Sequence, residues 1–310
     1  MVLTRIVSLD DDQEPLSLVE LPIPEPQPEE ILVRVSACGV CHTELDEIEG
    51  RTPPPRLPVV LGHQIVGRIE QLGSGASGFQ PGERVGIGWI SSSTGGADEN
   101  LSPDFKATGR DVNGGYAEYT TAHQSYAYRI PDVFSDIQAA PLLCAGAVGY
   151  RALRLTGLEN GQSLGLMGFG GSGHLVLQFA RHWFPDSRVY VFARDKQARE
   201  LGMELGAAWA GDIRERTPVG LQAIIDTTPV WRPVVEALKN LRPGGRLVIN
   251  AIRKEDVDKN VLLELSYQDE LWMEREIKSV ANVTAQDIAD FLPLAAEIPL
   301  APEVTTYTLE

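Results

Sequence analysis

The chain has 310 residues, 43% apolar and 23% charged, with a formal net charge of -16. That balance excludes a disordered chain, and the length favours two domains over one core. The acidic charge repels polyphosphate backbones and no basic patch offsets it, so nucleic acid is excluded as a partner.

The opening segment, MVLTRIVSLDDDQEPLSLVE, meets acidic residues where a signal peptide needs an apolar run. No later apolar stretch is long enough to span a bilayer, so a cytoplasmic location with no membrane partner is expected. Three cysteines, Cys38, Cys41 and Cys144, cannot form a disulfide framework, and a reducing compartment leaves each thiol free for metal or packing.

Residues 1–145 look all-β. ILVRVSACGV and PVVLGHQIVGRIEQLG are rich in Val and Ile and are separated by Gly and Pro clusters such as RTPPPRLP and FQPGERVG. The runs PIPEPQPEE and RTPPPRLP suit stiff loops of a β domain better than recognition peptides. Within this half, CGVCHTEL (Cys38 to Leu45) admits three chemistries: haem attachment, a redox dithiol, or part of a zinc site. Haem attachment requires export, which nothing here signals. A dithiol belongs at a helix start beside a βαβ pattern, whereas Cys38 ends a β-rich run. Zinc needs further ligands, and LGHQIVG and PLLCAGAVGY supply His63 and Cys144. Cys41, His63 and Cys144 would give the Cys₂His set that a catalytic zinc uses while leaving one position open.

From Gly146 the pattern alternates. SLGLMGFG, RVYVFA, LQAIIDTT and GGRLVINAI are buried-strand candidates, and HLVLQFARHWF and KQARELGMELGA carry apolar residues at helical spacing between them. Such βαβ units predict a parallel sheet. GFGGSGHL places Gly168, Gly170 and Gly173 as G-x-G-x-x-G, with Gly171 inside the motif, after a strand and before a helix. Glycines there permit a tight turn and close approach of a dinucleotide's pyrophosphate to the helix N-terminus. At the end of the next strand, VYVFARDKQAR puts Ala193 where a ribose-binding carboxylate would stand, followed by Arg194, with Lys196 and Arg199 nearby. A neutral residue followed by cations favours a 2'-phosphate and hence NADP(H). Asp195 keeps NAD(H) open, since a shift of one residue would restore an acid.

In order, GVCHTEL, LGHQIVG, GGYAEY, PLLCAGAVGYRAL and GFGGSGHL make the chain resemble the zinc-dependent alcohol dehydrogenases of the medium-chain dehydrogenase/reductase superfamily over nearly its whole length. The resemblance implies a GroES-like β-barrel catalytic domain over 1–145, a Rossmann doubly wound cofactor domain over 146–283, a return to the first domain over 284–310, and an active site in the cleft between them. It further implies that Cys41, His63 and Cys144 hold zinc, that Glu44 supports the ligand histidine, that Thr43 carries the hydroxyl of a proton relay, and that His42 approaches the cofactor pyrophosphate. Cys38 is then a small buried thiol. Trp89, in GIGWIS, matches an aromatic position lining the substrate pocket, though a core tryptophan would look the same. The resemblance implies a small alcohol or aldehyde substrate, with zinc to ease deprotonation of the alcohol through Thr43 and a nicotinamide to exchange hydride with its carbon. A homodimer or homotetramer is expected on the same ground.

Departures from the family pattern are specific. Gln64 replaces a glutamate beside the ligand histidine, Asp46 stands at a relay position where many relatives have histidine, and Val148 replaces a threonine beside the nicotinamide. The lobe that carries four cysteines around a structural zinc in some relatives is SSSTGGADENLSPDFKATG here, so a single zinc is expected, and a looser lobe with it. PEVTTYTLE stops where relatives continue with a helix and a strand, from which exposed apolar surface and lower stability are expected. His123 and His182 suit surface positions, and His174 suits packing at the start of the helix after the glycine loop. Two other activities compete with the zinc alcohol dehydrogenase: a zinc-free NADPH-dependent quinone or enoyl reductase, against which the complete ligand trio argues, and a non-catalytic nucleotide-binding protein with an eroded site.

Overall fold

The computed structural model describes residues 1–10, 14–298 and 300–309. They divide into two compact units: Met1–Cys144 with Val283–Ala296 and Glu303–Glu310, and Ala145–Asn282 with Glu297–Pro302. No helix among the described residues is long and apolar enough to cross a membrane.

The first unit is built on five antiparallel strands: β1 (Glu30–Gly39), β2 (Gln64–Leu72), β3 (Arg84–Ile87), β4 (Tyr119–His123) and β5 (Ala127–Arg129), in the order β4-β1-β2-β3-β5. Period-two alternation sends Ile31, Val33, Ile65, Ile69, Val85 and Ile87 to one buried face with Phe79. Gly67 is required where β1 and β2 meet, because a Cβ there would lie 2.2 Å from the Arg34 carbonyl oxygen. The pairing runs on to Cys38↔Ile65 and Gly39↔Gln64. This register delivers the Cys41 end of β1 and the His63 end of β2 side by side.

The second unit carries a six-stranded parallel sheet: β6 (Ser163–Met167), β7 (Arg188–Phe192), β8 (Trp209–Gly211), β9 (Leu221–Asp226), β10 (Leu241–Ile249) and β11 (Glu276–Ser279), ordered β8-β7-β6-β9-β10-β11. Every neighbouring pair is parallel. Reversal of the strand order between β6 and β9 is the doubly wound switch point, where such sheets bind ligands at their carboxyl ends. The four strands expected from apolar runs are β6, β7, β9 and β10. α1 (His42–Ile48) belongs to the first unit, as does α6 (Ala285–Glu297); α2 (Ala145–Thr156) leads into β6, and α3 (Gly171–Trp183), α4 (Lys196–Glu204) and α5 (Arg232–Leu238) lie between strands of the parallel sheet.

The lobe expected to be loose is tied down. Glu99 is 1% exposed and accepts from Tyr126 Oη at 2.9 Å and from the Ala285 backbone N–H, at the head of α6, at 2.5 Å. Ser93 Oγ donates to the Glu99 carbonyl at 2.7 Å. A buried carboxylate with charge-assisted bonds gives the lobe restraints that the sequence pattern did not suggest.

Candidate active site

α1 starts where β1 ends, and Cys41 is its N-cap. The Cys41 sulfur accepts from the Thr43 N–H at 3.4 Å, and Glu44 reaches back so that Oε2 accepts from the Cys41 N–H at 2.8 Å. This capping box fixes both side chains by local chemistry alone. With Cys41 aimed by the cap, His63 Nε2 lies 3.7 Å from its Sγ and 3.4 Å from Cys144 Sγ. The three ligand atoms all fall within 4.8 Å of one another. Tetrahedral zinc with ordinary Zn–S and Zn–N bonds separates sulfur from nitrogen by about 3.6 Å, so the trio fits the metal.

The other face of His63 is equally committed. Its Nδ1 lies 2.7 Å from Glu44 Oε1, with both side chains 1% exposed. Burial alone would push the Glu44 carboxyl up, but the His63 ring and the Cys41 N–H beside it carry it below its ordinary value. Burial pulls His63 down, yet Glu44 and Cys41 outweigh that and raise it well above the usual imidazole range. The Cys41 thiol is held high by its hydrogen bond with Cys144, by burial, and by the Cys144 and Glu44 charges. Protons thus sit on His63 and Cys41 until a cation displaces them. The Trp89 ring meets His63 edge-on, with centroids 4.6 Å apart and planes at 83°, and is itself 5% exposed. Its aromatic face helps fix the imidazole plane.

The remaining first-unit residues singled out in the sequence lie on or beside the same helix. Thr43 is half-buried in the first turn of α1 and His42 is exposed. Asp46 is buried, and its Oδ1 lies 2.7 Å from Arg51 Nε. Gln64 is buried with its side chain against Gly39, and its Nε2 has no hydrogen-bond partner among the described residues. Cys38 packs near Gly62 and Gly115, outside the ligand trio, and burial pushes its thiol up. Sequence reasoning missed Glu47, one turn beyond Glu44. It is fully buried, neither carboxylate oxygen has a partner among the described residues, and burial followed by the Glu44 charge pushes it up to about 8. A third acid on α1 at i+3 was the available signal.

In the second unit, Gly168 has φ +85 and follows β6 directly. Gly170 is the N-cap of α3, and a Cβ there would meet nothing within 4 Å. A Cβ on Gly173 would lie 2.8 Å from the Gly168 carbonyl. The three glycines therefore supply a tight turn, an open face and close helix–strand packing, which is the division of labour that pyrophosphate binding needs. Gly171 opens α3, whose cap has no side-chain hydrogen bond, leaving its first N–H groups free for an anion. His174 is buried with Nδ1 3.0 Å from the Gly170 carbonyl oxygen. Ala193 is buried at the end of β7, whereas Arg194 and Lys196 are exposed, Lys196 with Glu200 at 3.2 Å.

A family model described as "Alcohol dehydrogenase GroES-like domain" matches residues 27–132. The "Probable alcohol dehydrogenase AdhA" of Mycobacterium tuberculosis (strain CDC 1551 / Oshkosh) is 42% identical over 306 residues, covering 95% of this chain and 86% of that protein. An alcohol dehydrogenase of Geobacillus stearothermophilus is 33% identical over 315 residues, covering 96% of this chain and 90% of the relative. A dehydrogenase of Sinorhizobium meliloti 1021, described as zinc-binding and solved with NADP, superimposes with a TM-score of 0.79 at 26% identity, over 92% of this chain and 85% of that one. These relatives and the intact ligand trio favour neither a zinc-free reductase nor an inert nucleotide binder. The chain belongs to the zinc-dependent alcohol dehydrogenases of the medium-chain superfamily, enzymes that use zinc and a nicotinamide cofactor to act on the CH–OH group of small molecules.

Proposed function

We propose that Cys41, His63 and Cys144 hold a single catalytic zinc and that the enzyme prefers NADP(H) in interconverting a small alcohol and its aldehyde. The convergence of the three donors on one point, backed by Glu44, is the observation that carries this reading. When bound, zinc supplies Lewis acidity and the nicotinamide exchanges hydride. Two thiolates balance the charge of the metal, and Glu44 keeps the His63 proton at Nδ1 so that Nε2 faces the ligand point. Thr43 Oγ1 takes the hydroxyl proton of the substrate, and Asp46, already paired with Arg51, is the outer member of the relay. Gln64 completes the wall of the site without adding charge, and Trp89 lines the substrate side.

For the cofactor, Gly168, Gly170, Gly171 and Gly173 receive the pyrophosphate, while Ala193, Arg194 and Lys196 surround the adenosine ribose. The NADP(H) preference is supported by what Asp195 does: its Oδ2 accepts from the Ala198 N–H at 3.0 Å as the N-cap of α4. Arg199 Nη1 donates to the carbonyls of Ala193 and Arg194 at 2.7 and 2.8 Å, adding positive charge at the strand end. On this reading residues 1–145 with 284–310 form the catalytic domain and 146–283 the cofactor domain, in a cytoplasmic homodimer or homotetramer. Steady-state reduction of NADP⁺ and NAD⁺ across a panel of primary alcohols tests it. A higher kcat/KM with NADP⁺ is expected, and a preference for NAD⁺ would overturn the cofactor assignment.

A further inference from the structure

At the carboxyl ends of β9 and β10 lies an ion pair that no step above uses. The Lys254 ammonium, on a side chain 8% exposed, donates to Oδ2 of Asp226, which is 0% exposed. It also donates to the Thr228 carbonyl at 2.6 Å and the Val230 carbonyl at 3.1 Å, so all three of its N–H groups are used. Asp226 Oδ1 accepts from the Thr228 N–H at 3.1 Å and from its hydroxyl at 2.8 Å. Two backbone bonds close the arrangement: Asn250 N–H to the Asp226 carbonyl at 2.7 Å, and Glu255 N–H to the Pro229 carbonyl at 2.6 Å. Burial pushes the Asp226 carboxyl up, and Lys254 offsets part of that.

The turn held by this network touches the glycine loop. Thr227 donates from N–H and Oγ1 to the Met167 carbonyl at 2.9 and 3.2 Å, immediately before Gly168. A Cβ on Gly168 would lie 2.7 Å from Thr227 Oγ1 and 3.0 Å from Thr228 Cγ2, so loop and turn are in contact across the switch point. A buried pair is weak evidence of a stability role, because well-packed apolar residues do as well. What the pair does here is set the position of five residues, Asp226 to Val230, against the first glycine of the loop.

We propose that Lys254 is a positioning residue for the nicotinamide nucleotide, holding the Asp226–Val230 turn so that the glycine loop keeps its ligand-ready form. The proposal rests on the reading of that loop as the dinucleotide site. Without Lys254 a buried carboxylate and two carbonyls lose their partners, the turn must open to solvate them, and Gly168 loses the surface it packs on.

The test titrates NADPH and NADH into the zinc-loaded full chain by nicotinamide fluorescence, comparing wild type with Lys254→Met, Lys254→Gln and Leu238→Ala. Leu238 is 0% exposed near the far end of α5 and reports simple loss of stability. Lys254→Met is expected to raise Kd roughly tenfold, with Lys254→Gln between it and wild type, zinc content unchanged, and kcat at saturating cofactor nearly intact. Leu238→Ala is expected to lower Tm without moving Kd. Should Lys254→Met not fold, Lys254→Gln decides alone. An unchanged Kd in a folded Lys254 variant overturns the proposal, as does a Kd rise in Leu238→Ala that matches its loss of Tm. A wild type that binds neither nucleotide takes down the cofactor reading itself, which separates that failure from this one.

Discussion

His63 Nδ1 sits 2.7 Å from Glu44 Oε1 in a pair that is 1% exposed on both sides. Glu44 is held in turn by the Cys41 N–H. One carboxylate thus orients two of the three residues proposed to hold zinc, the histidine through its ring and the cysteine through the helix cap. Glu44→Gln keeps the shape and removes the charge, and is expected to weaken zinc roughly 10–100-fold. Competition against a chromophoric chelator measures it, and wild-type affinity in the variant would show that the pair only packs.

Glu47 gives a pH signature. Its carboxyl is pushed from an ordinary 4.5 to about 8. Between those values the folded chain keeps a proton that the unfolded chain has lost, so stability falls as pH rises through the window and the full penalty is reached above about 8. Glu47→Gln removes the titration. Its urea midpoint is expected to exceed that of wild type by an amount that grows from about pH 5 to about pH 8.5. A gap that stays constant over that range would contradict the account.

Glu99 is expected to matter for stability and not for the metal. Glu99→Ala leaves the Tyr126 hydroxyl and the Ala285 N–H without their acceptor, at a cost of about 3 kcal/mol. Chemical denaturation reads the loss, and zinc content per folded chain should not change. A loss of zinc in step with Glu99→Ala would tie the lobe to the metal site instead.

Cofactor choice should turn on one position. Ala193→Asp places a carboxylate at the end of β7, where it would accept from a ribose 2'-hydroxyl and repel a 2'-phosphate. The ratio of kcat/KM for NADP⁺ over NAD⁺ is expected to fall at least about tenfold, from roughly 1.4 kcal/mol of lost discrimination. No change in the ratio would place the 2'-group elsewhere.

The sequence carried the parallel sheet because strands buried on both faces must be apolar runs, and RVYVFA or LQAIIDTT can hardly be anything else. It did not carry β8 or β11, short edge strands whose residues need no such run; all four residues of β11 are exposed. The convergent trio of Cys41, His63 and Cys144 was legible as a candidate because only a few residue types bind zinc, and the glycines because only glycine takes φ +85 without strain. Glu99 bonding to Ala285, and Lys254 to Asp226, were not legible. Such partners are joined by the fold across 186 and 28 residues, and nothing local marks a glutamate or lysine as buried. The expectation of a loose lobe failed for that reason.

The most direct test of the whole account is zinc per chain, by elemental mass spectrometry on protein purified without chelator or added zinc, beside a Cys144→Ala control. About one zinc in wild type, falling toward none in the control, is the expected result. A wild type without zinc, or a control that keeps it, would contradict the assignment of Cys41, His63 and Cys144 as the metal centre.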